Sequence, residues 1–147
     1  MMDRVPVLQI GRILLVSIQF DLEDESVLNL QEDLADRIVS SGAHGVVIDI
    51  TAVEIVDSFI GRMLATIASI SRMLGAETVV VGMRPAVAIT LVELGLSLGG
   101  VRTALDLEKG MRILQGSRAG REGRSGDAAA DAAADRILSP GRDTDLR

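Results

Sequence analysis

Gly45-Val46-Val47-Ile48-Asp49-Ile50-Thr51 decides the fold, together with Val53-Glu54-Ile55-Val56-Asp57-Ser58-Phe59-Ile60-Gly61 just after it. Val46, Val47 and Ile48 make an unbroken apolar run between a glycine and an aspartate, as in a strand covered on both faces. The second stretch leads into a long amphipathic segment that closes at Gly75. Strand, loop and helix in this order predict one unit of an α/β sheet. Ser58 falls where the helix begins, close to backbone N–H groups that have no intrahelical acceptor. A serine there reads in two ways. It caps the helix, or it accepts a phosphoryl group whose charge changes what binds the surface.

Working outward, residues 5–10 and 12–18 read as two short strands joined tightly at Gly11-Arg12. Acidic residues Asp21, Glu23, Asp24 and Glu25 then precede a helical stripe of Val27, Leu30, Leu34 and Ile38. Gly42 is a suitable stop for that helix. After the third strand, 45–51, the helix 58–74 sets Ile60, Met63, Leu64, Ile67, Ile70 and Leu74 on its inner face. Residues 78–82 read as a buried strand. Pro85 suits the first turn of a helix running to about Leu94 and stopping at Gly95. Residues 101–105 read as a last strand, and Asp106 caps a final helix with Leu107, Met111, Ile113 and Leu114. The predicted order is β-β-α-β-α-β-α-β-α, an α/β fold with a mixed, mostly parallel sheet of four or five strands and about four helices.

The 147 residues suffice for one domain with a proper core, and 48% of them are apolar. Two Phe and no Tyr or Trp leave a core of aliphatic residues and no platform for stacking bases. The net charge of −6 argues against nucleic acid as a ligand. With no cysteine and one histidine, His44, thiolate chemistry and multi-histidine metal sites are excluded. No cofactor is expected. No apolar run has the length of a membrane span, so a soluble cytoplasmic protein is expected, with no membrane partner. From Gly116 the composition shifts to Gly, Arg, Ala and Asp, with six arginines balancing six acids after residue 116. Residues 117–147 are therefore expected to be a flexible low-complexity tail on a domain of residues 1–116.

Several separate segments match a known pattern in order: Arg12–Gln19 (RILLVSIQ), Gln31–Leu34 (QEDL), Gly45–Thr51 (GVVIDIT), Val56–Ile60 (VDSFI), Pro85–Thr90 (PAVAIT) and Thr103–Leu107 (TALDL). Together they resemble the STAS domain family, and more narrowly its RsbS-type stressosome scaffold and antagonist members, over about residues 5–115. The resemblance implies a non-enzymatic protein of a stress-response pathway. It implies a negative regulator that sequesters a switch serine kinase of the RsbT type until phosphorylated. The acceptor serine of the family starts the second helix directly after an aspartate, which here means Ser58 and Asp57. Implied partners are RsbR-like STAS paralogues with sensory domains, in a large homo- or hetero-oligomeric assembly, and an RsbX-like phosphatase that resets the serine. The tail departs from the short members of the family. A second reading keeps the fold and makes the chain a free anti-sigma factor antagonist that binds an anti-sigma kinase directly.

Beside Ser58, one of Phe59 and Ile60 is expected to face the core and the other to anchor the kinase, with Asp57 in the same partner-binding surface. Asp49 and Asp57 resemble a carboxylate pair, but Asp49 is expected to end a strand and cap the adjoining loop. His44 is expected to be a solvated turn residue. Thr51 and Thr90 are further hydroxyls open to modification, each with a structural reading as well. The Gly-rich segments at 95–100 and 116–126 lack the Lys-Ser/Thr ending of a phosphate-cradling loop.

Overall fold

The computed structural model describes residues 5–18, 24–95 and 101–116. The expected order appears in full. Strands β1 (Val7–Ile10) and β2 (Ile13–Ser17) are followed by α1 (Asp24–Ser41), β3 (Gly45–Asp49), α2 (Ser58–Met73), β4 (Glu77–Val81), α3 (Pro85–Glu93) and β5 (Arg102–Ala104). A fourth helix, α4, occupies residues 107–116. The expected tail at 117–147, and Asp21 and Glu23 of the acidic group, lie outside the described residues.

The five strands stand in chain order, β1-β2-β3-β4-β5. β1 pairs antiparallel with β2, and every later pair is parallel. The register sets Ser17 beside Asp49 and Asp49 beside Val81. Parallel crossovers are right-handed, and here each one steps in the same direction across the sheet. They therefore lay α1, α2 and α3 on one face. That face holds the larger core, in which Leu14, Val16, Val46, Ile48 and Val80 meet Leu34, Leu64, Ile67, Val87 and Leu91. α4 covers the other face, where Leu114 packs with Ile13, Val47, Val79 and Val81.

The local signals explain most element ends. Gly42 takes φ 67°, and its N–H donates to the Ile38 carbonyl at 3.0 Å, closing α1 where expected. Pro85 opens α3 behind an extended Arg84. The Asp106 carboxylate accepts the Lys109 N–H at 2.8 Å and caps α4. Two expectations on α2 need correction. Leu74 is not part of the inner face: it is the C-cap and 40% exposed. Ile70 is only half-buried. A three- or four-residue stripe drifts off the contact line near a helix end, so spacing over-extends the buried face there. His44 is half-buried rather than solvated. Its N–H donates to the Arg12 carbonyl at 2.9 Å and its carbonyl accepts from Glu77 at 3.0 Å, tying β3 to both neighbours.

Candidate functional site

The loops that leave the C-terminal ends of β3 and β4 form the candidate site. After Asp49 the chain keeps one more sheet bond, from the Ile50 N–H to the Val81 carbonyl at 3.0 Å. It then turns, with the Val53 N–H donating to the Ile50 carbonyl at 2.9 Å. Val53 and Val56 are buried and peg the loop to the main core. Between these pegs Glu54 and Ile55 are held out, and Ile55 is 84% exposed. The loop is thus fixed at both ends and displays one large apolar side chain.

Asp57, not Ser58, is the helix cap. Its backbone is extended (φ −124°, ψ −176°), its carboxylate accepts the Ile60 N–H at 3.0 Å, and its carbonyl accepts the Gly61 N–H at 3.1 Å. The capping reading of Ser58 is therefore corrected by one position. Asp and Ser cap about equally well, so the choice between adjacent candidates falls to the loop that delivers them. Ser58 becomes the first residue inside α2, and it is half-buried. Its hydroxyl makes no hydrogen bond to another described residue. Of its two neighbours, Ile60 faces the core at 9% exposure and Phe59 is partly buried against the same core. Phe59 keeps part of its surface open to solvent, as Ser58 does. The exposed apolar residue of this surface is Ile55, which sequence reasoning passed over because a single isoleucine between two valines carries no periodic signal.

The second loop is stitched to the first. The Arg84 Nε donates to the Thr51 carbonyl at 3.0 Å. The Asp49 carboxylate accepts both the N–H of Thr51, at 2.9 Å, and its hydroxyl. Asp49 thus ends β3 and caps the loop, as its position suggested. Gly82 fits beneath this turn with φ 75°, and a Cβ there would collide with the Thr51 hydroxyl. Arg84 is a residue the sequence did not single out, since nothing local ties it to a segment 33 positions away. Thr51 and Thr90 both have engaged hydroxyls, the second donating to the Ala86 carbonyl at 2.9 Å. Charge around Ser58 is mixed: Glu54 and Asp57 are exposed on the loop side and Arg62 one helical turn on.

The strand end, pegged loop and capped helix lie within residues 4–108, which the model of the STAS domain matches. The chain belongs to the STAS domain family. Among solved STAS proteins it is similar to Moorella thermoacetica RsbS S58E, with 42% identity, a TM-score of 0.70, and coverage of 80% of this chain and 99% of that one. It is equally similar, at 42% identity and a TM-score of 0.69, to a chain in a structure described as the molecular architecture of the stressosome, a signal integration and transduction hub. That match covers 77% of this chain and 98% of the other. A further relative is the RsbT co-antagonist protein RsbRA of Bacillus subtilis (strain 168), 32% identical over 91 residues. The alignment takes in 62% of this chain and 33% of that protein, so the STAS domain spans about a third of the relative's length. The mixed sheet, expected with four or five strands and about four helices, has five strands and is the STAS fold, and the 42% identical matches are to RsbS and to a stressosome structure. Among the described residues no helix is long and apolar enough to cross a membrane.

Proposed function

We propose that this STAS protein is a non-enzymatic scaffold of a cytoplasmic stressosome and a negative regulator of a stress response. It sequesters an RsbT-like serine kinase and releases it when Ser58 is phosphorylated. The observation that carries this reading is the place of Ser58. It is partly exposed, starts α2, and is free of the capping duty, which Asp57 performs. A phosphoryl group can therefore be added without removing the cap. The RsbS relative, 42% identical and covered over 99% of its length, carries glutamate in place of serine at a position of the same number. That substitution sets a negative charge where a phosphoryl group would stand, and it supports the assignment of Ser58.

The physical switch is electrostatic. A phosphoserine adds about −1.5 to −2 charge and three strong acceptor oxygens. At the first turn the helix dipole favours that charge, and the exposed Glu54 and Asp57 oppose it. The fold changes little while the surface potential changes much. A kinase that docks on Ile55 and the surrounding loop would lose affinity for the modified surface. Co-assembly with RsbR-like STAS paralogues and resetting by an RsbX-like phosphatase complete the cycle.

Incubation with the partner kinase and ATP, followed by mass mapping of the modified residue, tests the proposal. The expected result is one phosphoryl group on Ser58 and release of the kinase. Modification elsewhere, with Ser58 untouched, would overturn it.

A further inference from the structure

We propose that Arg62 receives the Ser58 phosphoryl group: its guanidinium pairs with the phosphoserine on the exposed face of α2, within this one chain. The pairing rests on the proposed function, in which Ser58 is the acceptor, and adds the residue that holds the modified side chain. Ser58 and Arg62 stand four residues apart in a single helix, Ser58–Met73. That spacing sets their Cβ atoms about 5–6 Å apart on one face. Direction favours the pair as well. A helical side chain leans back toward the N-terminus and covers the turn before its own Cα. Arg62 therefore covers the turn that holds Ser58. The order is also the favourable one, with the anion on the N-terminal side of the cation.

No described residue competes for this guanidinium. Arg62 is exposed and makes no ion pair with another described residue. Other cations are committed or remote. Arg84 gives its Nε to the Thr51 carbonyl at 3.0 Å. Arg102, Lys109 and Arg112 pair with Glu77, Asp106 and Glu108. Arg72, the other charged residue of α2, lies about 21 Å from Ser58 along the helix. The surrounding acids give the pair its purpose. Glu54 and Asp57 are exposed on the loop side of Ser58, and Glu25 is exposed in the first turn of α1, which starts above the same end of the sheet. All three favour a phosphoryl group that keeps its second proton. Arg62 favours the dianion, and its planar fork matches two phosphate oxygens at once. Phosphorylation then does two things to the docking surface. It adds an anion, and it withdraws the Arg62 cation from any acidic group of a docked partner.

The full chain with phosphoserine placed at position 58 during synthesis, so that no kinase is needed, tests the pair by phosphorus NMR titration. A phosphoserine ordinarily loses its second proton at about pH 6. Arg62→Gln should raise the titration midpoint by about half a pH unit at low salt, because the dianion loses its partner. That gap should close at about 1 M salt. Arg62→Lys, which keeps the charge and loses the fork, should fall between the two. Arg72→Gln removes the same charge far from Ser58 and should leave the midpoint in place. A midpoint indifferent to Arg62→Gln overturns the pairing, and so does one moved equally by Arg72→Gln. Should Arg62→Gln not fold, the Arg62→Lys midpoint and the salt dependence of the wild type decide the matter. The two readings fail separately. A kinase that leaves Ser58 bare sinks the proposed function, whereas phosphate on Ser58 with a midpoint blind to Arg62 sinks the pair alone.

Discussion

The Asp57 carboxylate accepts the Ile60 N–H at 3.0 Å, and this bond divides the labour at the start of α2 between two adjacent residues. Asp57 holds the helix, and Ser58 is left available for chemistry. Asp57→Ala is expected to cost about 1 kcal/mol, the usual loss for removing a cap. Ser58→Ala is expected to stay within about 0.5 kcal/mol of wild type, because the Ser58 hydroxyl makes no hydrogen bond to another described residue. Urea unfolding of both variants checks the division. Equal losses would mean that the two residues share the cap.

Under the proposed function, Ser58→Ala keeps its kinase in the presence of ATP, while Ser58→Glu binds it more weakly. The second effect should be smaller than that of phosphorylation, because one carboxylate carries less charge and fewer acceptor oxygens. Titration calorimetry with the kinase measures both. Wild-type affinity in both variants would sink the switch.

Under the proposed function, Ile55, 84% exposed between the buried Val53 and Val56, is the expected apolar anchor for the kinase. Ile55→Asp is expected to leave stability within about 0.5 kcal/mol and to weaken kinase capture by more than about 1 kcal/mol. A pull-down against wild type, with unfolding curves alongside, separates lost docking from lost folding.

Gly82 and Gly75 both have positive φ, at 75° and 88°, but only Gly82 has a neighbour where a Cβ would go. Gly75→Ala should cost about 1–2 kcal/mol from backbone strain alone. Gly82→Ala should cost more, because Thr51 must also move and give up its hydrogen bond to Asp49. Thermal unfolding ranks the two, and the opposite order would show that the Asp49–Thr51 turn moves aside at little cost.

Gly110 sets helix propensity against packing. Within α4 an alanine would ordinarily stabilise by about 1 kcal/mol. Here its Cβ would lie 2.6 Å from Val81 Cγ1, in the core that α4 closes. Gly110→Ala is therefore expected to lower the melting temperature, and a rise would show that α4 can lift without loss.

Much of the fold was legible from residue order. The alternation of apolar runs with amphipathic stripes is set by local geometry, two residues per strand repeat and 3.6 per helical turn. Val46, Val47 and Ile48 could be read as buried, and Gly42, Pro85 and Asp106 as boundaries, because each signal acts within a few residues. The buried stripe Val27, Leu30, Leu34 and Ile38 is visible for the same reason. The candidate serine was also legible, as a hydroxyl where a loop turns into a helix.

Other features arose only from residues brought together across the chain. Spacing could not choose between Asp57 and Ser58 as cap, since both suit the role and the pegs at Val53 and Val56 decide which arrives in extended form. Nor could it foresee Arg84 reaching Thr51, Gly82 lying beneath that turn, or Gly110 lying against Val81. Local order is written by periodicity and by the conformational limits of single residues. Pairing between distant loops comes from packing, which exists only once the sheet has assembled.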